Sequence, residues 1–560
     1  MKVLKYSFLI TVTVFFSCAV LFSACGGESG GSKIEPTETQ RATEEKAEEQ
    51  EDLRGSSSSS AICKENRLLT YGGEPATVLD PILVSDIGTA EYIIEIFGGL
   101  VTLGLDLQIE PDLAESWKIS DDGLTYTFKL RKNVVFHNGR RVTAEDFKYS
   151  IERAADPLNA SPTALLYLSE IVGVKDKFGG LTDTVRGVVV IDESTIQISL
   201  TEPITHFLQV LTYPVSFVVD KEQIMRDPTN WTRNPNGTGP FRLQTFNPLK
   251  EIVLARNERY HLGPPNLEAV VFNLSGGSLS TRYENDEIHI ALVPTLELDS
   301  YRAGKSRYAS EYRVAKEMSL SYIAFNVNKP PFDDPLVRQA LALAVDRNAI
   351  NEVLYYNRFR VADGILPPEM PGYSEDVSSY PYDPERAAEL IANSKYFDNM
   401  PRITLNFPGS VASGGGFLEV FQQQWSDNLG LDIELEAVEW STFLRELRRK
   451  TFQVASLGWI ADYPDPENFL HKLFSSGSTQ NELGYANVNV DELLKKARVE
   501  QDMIRRNKLY WEAEQIILDD AAIIPIFWSV QHLLVKPCVQ NWPDLSIGVP
   551  KYRYITIASQ

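Results

Sequence analysis

Residues 458–470 read GWIADYPDPENFL and bring Asp462, Asp465 and Glu467 close together behind a tryptophan. Carboxylates in that setting could serve as a catalytic acid, metal ligands, a helix cap or an anchor for a cation. They lack the glycine and the regular oxygen spacing of a calcium loop. The six histidines, His137, His206, His261, His289, His471 and His532, are scattered, with no H-x-x-x-H pair and no cysteine beside them, so no zinc site is signalled. Glycine-rich stretches fare no better. NPNGTGPFRL (234–243) carries Arg242 where a dinucleotide fingerprint needs its third glycine, and RAGKS (302–306) has Asp299 where a phosphate loop begins. GESGG (27–31) matches a nucleophile elbow but sits in a linker-like segment without the required strand and helix. The two acids of a glycosidase can lie far apart, and nothing here supports that chemistry. The sequence reads as a non-enzyme without a metal or cofactor.

The elements around these residues are more informative. RLLTYGG after Cys63 reads as a strand with a turn, and TAEYIIEIFGGL (89–100) as a helix ended by Gly98 and Gly99. Tyr126, Phe128 and Leu130 alternate with polar residues, as a half-buried strand requires. Thr143 is placed to cap a helix with acids in its first turn, and RGVVVIDESTIQISL (186–200) reads as two strands around a turn. From about residue 320 strands and helices alternate: SYIAFNV, then PLVRQALALAVDRNAINEVL as one helix, ITLNFP, a helix closed by Gly430, LDIELEAV, WSTFLRELRRK and QVASLGWIAD. That order predicts βαβ units with right-handed crossovers. VDELLKKARVEQDMIRRNKLYWEAEQIILDDA follows as an amphipathic stretch, and IIPIFWSV (523–530) returns to strand. No short-period repeat is present.

At 560 residues and 43% hydrophobic the chain can bury a large core, and its net charge of −22 argues against a nucleic-acid partner. Lys2 and Lys5 precede an apolar run over 8–24 that ends in the small residues Ser23 and Ala24 before Cys25, which reads as an export signal. It resembles a bacterial lipoprotein signal, with Cys25 as the lipidated residue and residues 1–25 as the signal peptide. A single membrane-spanning helix is the competing reading. In either case the body is expected outside the cytoplasm, held to a membrane. Residues 26–62, charged and serine-rich, should be a disordered tether. With Cys18 in the signal and Cys25 lipidated, Cys63 and Cys538 remain, and an oxidising compartment favours a disulfide between them over two separate thiols.

Four segments together are similar to one known family: DGLTYTFKLRKNVVFHNGRRVTAEDFKYSIERAADP, GTGPFRL with IVLARNERYH, FNVNKPPFDDPLVRQALALAVDR, and GWIADYPDPENFL. From about residue 66 to the C-terminus the chain resembles bacterial extracellular solute-binding proteins of family 5, the peptide/nickel class that serves ATP-binding-cassette importers. ADPLNASPTALLYL (155–168) looks closest to oligopeptide-binding members.

The resemblance implies an α/β, two-lobed, periplasmic-binding-protein-like fold of type II, cluster C, with an extra subdomain in the first lobe. Lobe I would comprise 64–275 with a subdomain near 86–185, lobe II would span 276–522, and 523–560 would return to lobe I. It further implies a monomer that captures peptides and passes them to permease and ATPase subunits. Asp462 would receive the ligand's α-ammonium, and Gly458, Trp459 and Ile460 would hydrogen-bond its backbone. Ser85, Asp86 and Ile87 would add bonds from the other lobe. Capping of a helix near Pro466 is the competing role for Asp462, made awkward by Tyr463-Pro464. The oligopeptide binders use a tyrosine about where Thr163 stands and basic residues near the ligand's C-terminus. Here Ser456 occupies one such place, with Arg448, Arg449 and Lys450 nearby and SVASGGGF (410–417) as a second-lobe loop. Nickel, haem and oligosaccharide carriers share the fold, as would a peptide receptor or chaperone that feeds no transporter.

Overall fold

The computed structural model describes residues 61–72, 78–409, 416–482, 484–548 and 550–558. The signal peptide, Cys25, nearly all of the tether and most of the 410–417 loop lie outside them. Among the described residues no helix is long and apolar enough to cross a membrane.

Local signals set most element ends. Thr143 and Asp146 form a reciprocal capping box at the start of helix Ala144–Ala154. Asp86 caps helix Ile87–Ile96, accepting from the Thr89 amide at 2.8 Å, so this helix starts before the expected TAEYIIEIF stretch. The single helix expected over 335–354 is two, Pro335–Leu343 and Arg347–Tyr355, because Asp346 caps the second through the Ala349 amide. Asp502 likewise divides the long amphipathic stretch into Val488–Val499 and Met503–Asp519. Gly430, at φ +66°, closes helix Gly416–Leu429.

Two sheets share one apolar core on the first side of the molecule. One holds the strands Arg67–Tyr71, Ala269–Asn273, Glu251–Arg256 and Phe241–Asn247 in that spatial order. The other holds Ile290–Leu292, Val530–Val535, Tyr312–Glu317 and Leu545–Ser546. Leu68, Phe241 and Ile252 of the first meet Ile290, Ala315 and Leu533 of the second. A third, antiparallel sheet of Ala114–Ile119, Thr125–Leu130, Thr195–Ser199 and Val188–Asp192 has its own core, which extends to Val218. Its last strands lie beyond the 86–185 expected for a subdomain. Cys63 and Cys538, 475 residues apart, are disulfide-bonded with an S–S distance of 2.06 Å.

The other side is built on a six-stranded sheet ordered Arg360–Val361, Ile523–Trp528, Ser319–Phe325, Val454–Ile460, Ile403–Pro408, Ile433–Val438. The alternation of elements predicted parallel pairing, and the pairs on either side of Ile403–Pro408 are parallel. Ser319–Phe325 runs antiparallel to both of its neighbours. Two assignments of the sequence partition therefore change. Ile523–Trp528 belongs to this sheet and does not return to the first side. Ile290–Leu292 and Tyr312–Glu317, expected in the second lobe, pair with Val530–Val535.

The chain crosses between the two sides at Met318 and Ser529. Strands 312–317 and 530–535 pair before the crossing, strands 319–325 and 523–528 pair after it, and the Ser529 amide donates to Ser319 Oγ at 3.2 Å. The crossing is thus a two-stranded ribbon. Glu317 is buried there and accepts from Gln531 Nε2 at 2.8 Å, and burial raises its carboxyl pKa.

Candidate ligand site

The strand Val454–Ile460 pairs along its whole length with Ser319–Phe325, but Ile403–Pro408 meets it only at Val454 and Ala455. Pro408 offers no amide to continue that ladder, and Gly409, at φ +112°, lets the chain turn away. From Ser456 to Ile460 the second edge has no strand partner among the described residues. An edge of unpaired N–H and C=O groups is a template for one more extended chain.

This edge forms one wall of a cavity of about 760 Å³. Gly458, Trp459, Ile460 and Asp462 line it from one side, with Ser85, Asp86 and Ile87 from the other. All the residues that sequence reasoning assigned to the ligand thus meet in one space. The carboxylate of Asp86 is committed to its own helix cap. Gly237 and Gly239 support this wall from behind. A Cβ at Gly237 would come within 1.9 Å of Ile96 O and one at Gly239 within 2.3 Å of Glu95 O, so these glycines serve close packing against the cavity-lining helix.

Asp462 stands where the open edge ends. Its Oδ2 accepts from Tyr167 Oη at 2.5 Å and from Asn468 Nδ2 at 3.0 Å, and Asn468 Oδ1 takes the Asp462 amide and the Trp459 indole N–H. No described residue donates to Oδ1. Burial pushes this carboxyl above the usual carboxylate range, against the pull of the Tyr167 hydroxyl, Asn468 and the Lys472 ammonium. The carboxylate is therefore short of positive charge. Asp462 does not cap the following helix: Asp465 accepts from the Glu467 amide at 3.0 Å and does that work.

Thr163 stands about where the oligopeptide binders have a tyrosine, and a tyrosine of this chain, not foreseen from sequence, lies one turn further on. Thr163 is buried at the start of helix Ala164–Leu168, and Tyr167, stacked on Tyr213 at 4.0 Å, reaches across to Asp462. Tyr167→Phe removes a hydrogen bond to a charged group, worth about 1.5–3 kcal/mol. We expect a ligand affinity about tenfold or more weaker by titration calorimetry, with the fold intact by circular dichroism. Ser456 and Arg448 line the cavity, while Arg449 pairs with Glu446 at 3.4 Å outside it. Lys450 is exposed and is not among the lining residues.

Sequence reasoning missed the buried charges behind Asp462. Lys472 donates to Leu166 O across the cleft, lies 3.7 Å from Glu467, and sits 5.0 Å from the centre of the Tyr167 ring. Arg498 pairs with Glu170 at 3.3 Å, again between the two sides. Burial alone would raise the Glu467 carboxyl, but Lys472, His206, His471 and Arg498 hold it well below its ordinary value. Tyr463, next to Asp462, is fully buried in the core of the antiparallel third sheet. The C-terminal tail was also missed. Ile547, Pro550, Lys551 and Arg553 line the cavity, and a Cβ on Gly548 would lie 1.8 Å from Ile87 and 3.3 Å from Ile460. Burial pulls Lys551 down to about 8 while its ammonium donates to Thr102 and Leu103 O.

Comparison with known proteins agrees with this architecture. The model of bacterial extracellular solute-binding proteins, family 5, matches residues 108–481. The chain is similar to the periplasmic oligopeptide-binding protein OppA of Escherichia coli, at 30% identity over 86% of this chain and 90% of that protein. It is equally similar, at 30% identity over 84% of this chain and 89% of the relative, to the probable deoxycholate-binding periplasmic protein YgiS of the same organism. Among solved structures, the E. coli murein tripeptide binding protein MppA superposes with a TM-score of 0.77 at 27% identity, covering 88% of this chain and 98% of MppA. These relatives place the structure among two-lobed type II binding proteins. The chain belongs to the bacterial extracellular solute-binding proteins of family 5.

Proposed function

We propose that this protein is an extracytoplasmic lipoprotein that captures peptides between two lobes and delivers them to an ATP-binding-cassette permease. The observation that carries the reading is the open strand edge at 456–460 ending in an acid that forms no ion pair with a described residue. Backbone pairing along the edge gives affinity indifferent to side chains, and Asp462 selects a free N-terminus. The guest then lies antiparallel to Val454–Ile460, its first residue at Asp462. The lobes divide at Met318 and Ser529, and Cys25 carries the membrane anchor. Relatives named for deoxycholate or haem mark other solutes on this scaffold. A sterol or porphyrin would leave the strand edge unpaired, which favours the peptide here.

The test is calorimetric titration with a tetrapeptide and its N-acetyl form. We expect the free amine to bind at least about a hundredfold tighter, from the ~3–5 kcal/mol cost of an unpaired buried charge. Equal affinities would overturn the reading. Affinity should also describe a bell in pH. It falls on the acid side as Asp462 protonates, and does so at higher pH than for an ordinary carboxyl because burial raises this one. On the alkaline side it falls as the peptide amine deprotonates near pH ~8.

A further inference from the structure

Below the strand edge the cavity continues into the second lobe as an apolar recess. Tyr322, Phe443, Leu447, Leu457 and Leu473 line it and belong to one packed cluster. Tyr322 and Leu457 are cross-strand neighbours, so their side chains lie on the same face. Glu482 also lines this cavity, and among the described residues it has neither a hydrogen bond nor an ion pair. The buried Asn481 beside it is held by donating to Ser475 O at 3.1 Å and to Tyr485 O at 2.6 Å. The Glu482 charge adds to burial in raising the Tyr322 hydroxyl, which puts the two within electrostatic reach. Burial pushes the Glu482 carboxyl itself up to about 7, with Arg448 and Lys450 pulling the other way. Both cations are solvent-exposed, and neither pairs with it.

An apolar recess with an unpaired carboxylate in its wall matches one kind of side chain. A lysine or arginine presents a long aliphatic stem and a cationic tip. A purely apolar side chain would leave the carboxylate desolvated and unpaired, and an acidic one would add repulsion. We infer that Glu482 and the recess around it form a subsite for a basic side chain of the bound peptide. This rests on the peptide reading of the cavity and adds to it a preference for cationic guests, since Asp462 and Glu482 each call for one positive charge.

The test uses tetra-alanine with free termini, and variants carrying lysine, norleucine or glutamate at the second, third or fourth position. Norleucine keeps the stem of lysine and lacks the ammonium. At one position lysine should bind about tenfold tighter than norleucine, and Glu482→Gln should remove that gap in a protein whose circular dichroism is native. The inference is overturned if tetra-alanine binds but lysine nowhere exceeds norleucine, if glutamate is preferred, or if the gap survives Glu482→Gln. Failure of every peptide to bind would instead defeat the underlying peptide reading, and this inference with it.

Discussion

Asp462→Ala is expected to lower affinity for a free-amine peptide by about a hundredfold or more, the equivalent of ~3–5 kcal/mol. The guest's ammonium would enter a half-buried site with no counter-charge. Stability should change far less, because burial already disfavours the unliganded carboxylate. Asp462→Asn separates charge from shape. It keeps an oxygen for Tyr167 and a side chain for Asn468, so its affinity should fall nearly as far. Unchanged affinity in both variants would show that the edge alone holds the guest.

The second large effect concerns folding. Arg506 grips Asp465 through two hydrogen bonds of 3.0 and 2.7 Å, and both residues are buried. Arg506 also donates to Ala497 O and to Tyr510 Oη, so it ties two helices to the turn that follows Asp462. Arg506→Met leaves Asp465 buried and unpaired, and we expect a loss of about 3–5 kcal/mol in denaturant unfolding. The double change Asp465→Asn with Arg506→Met should recover much of it, because no lone charge remains. A single-variant loss below about 1 kcal/mol would mean that water reaches Asp465.

The contrast between these aspartates shows what the sequence could tell. Asp462 was singled out by the resemblance, because GWIADYPDPENFL is one of the segments that carry it; the local pattern alone left its role open between acid, ligand, cap and anchor. Thr143 was legible because capping is local chemistry. Tyr167 was missed, since helix Ala164–Leu168 is too short for its pattern to show which residue faces the cleft. The change of pattern near residue 320 did not by itself reveal the crossing at Met318 and Ser529, because the strands on its far side, Ser319–Phe325 and Ile523–Trp528, are almost continuously buried and carry no alternation to mark a boundary. Lys472, Arg498 and Glu482 look like ordinary surface charges in sequence. Only the packing of elements far apart in the chain removes the first two from water and brings the third to the cavity.

Tyr463 gives the cleft a property of its own. Its chain segment belongs to the second lobe, yet its ring lies in the core of the first lobe's antiparallel sheet, 6.2 Å from the parallel ring of His206. Parting the lobes would draw that ring into water at a cost of about 1.5–3 kcal/mol. Under the proposed hinge motion, this burial is one contribution that favours the closed shape even without a guest. A peptide bound as proposed would add its own contacts to that contribution, so the closing step would not rest on the guest alone.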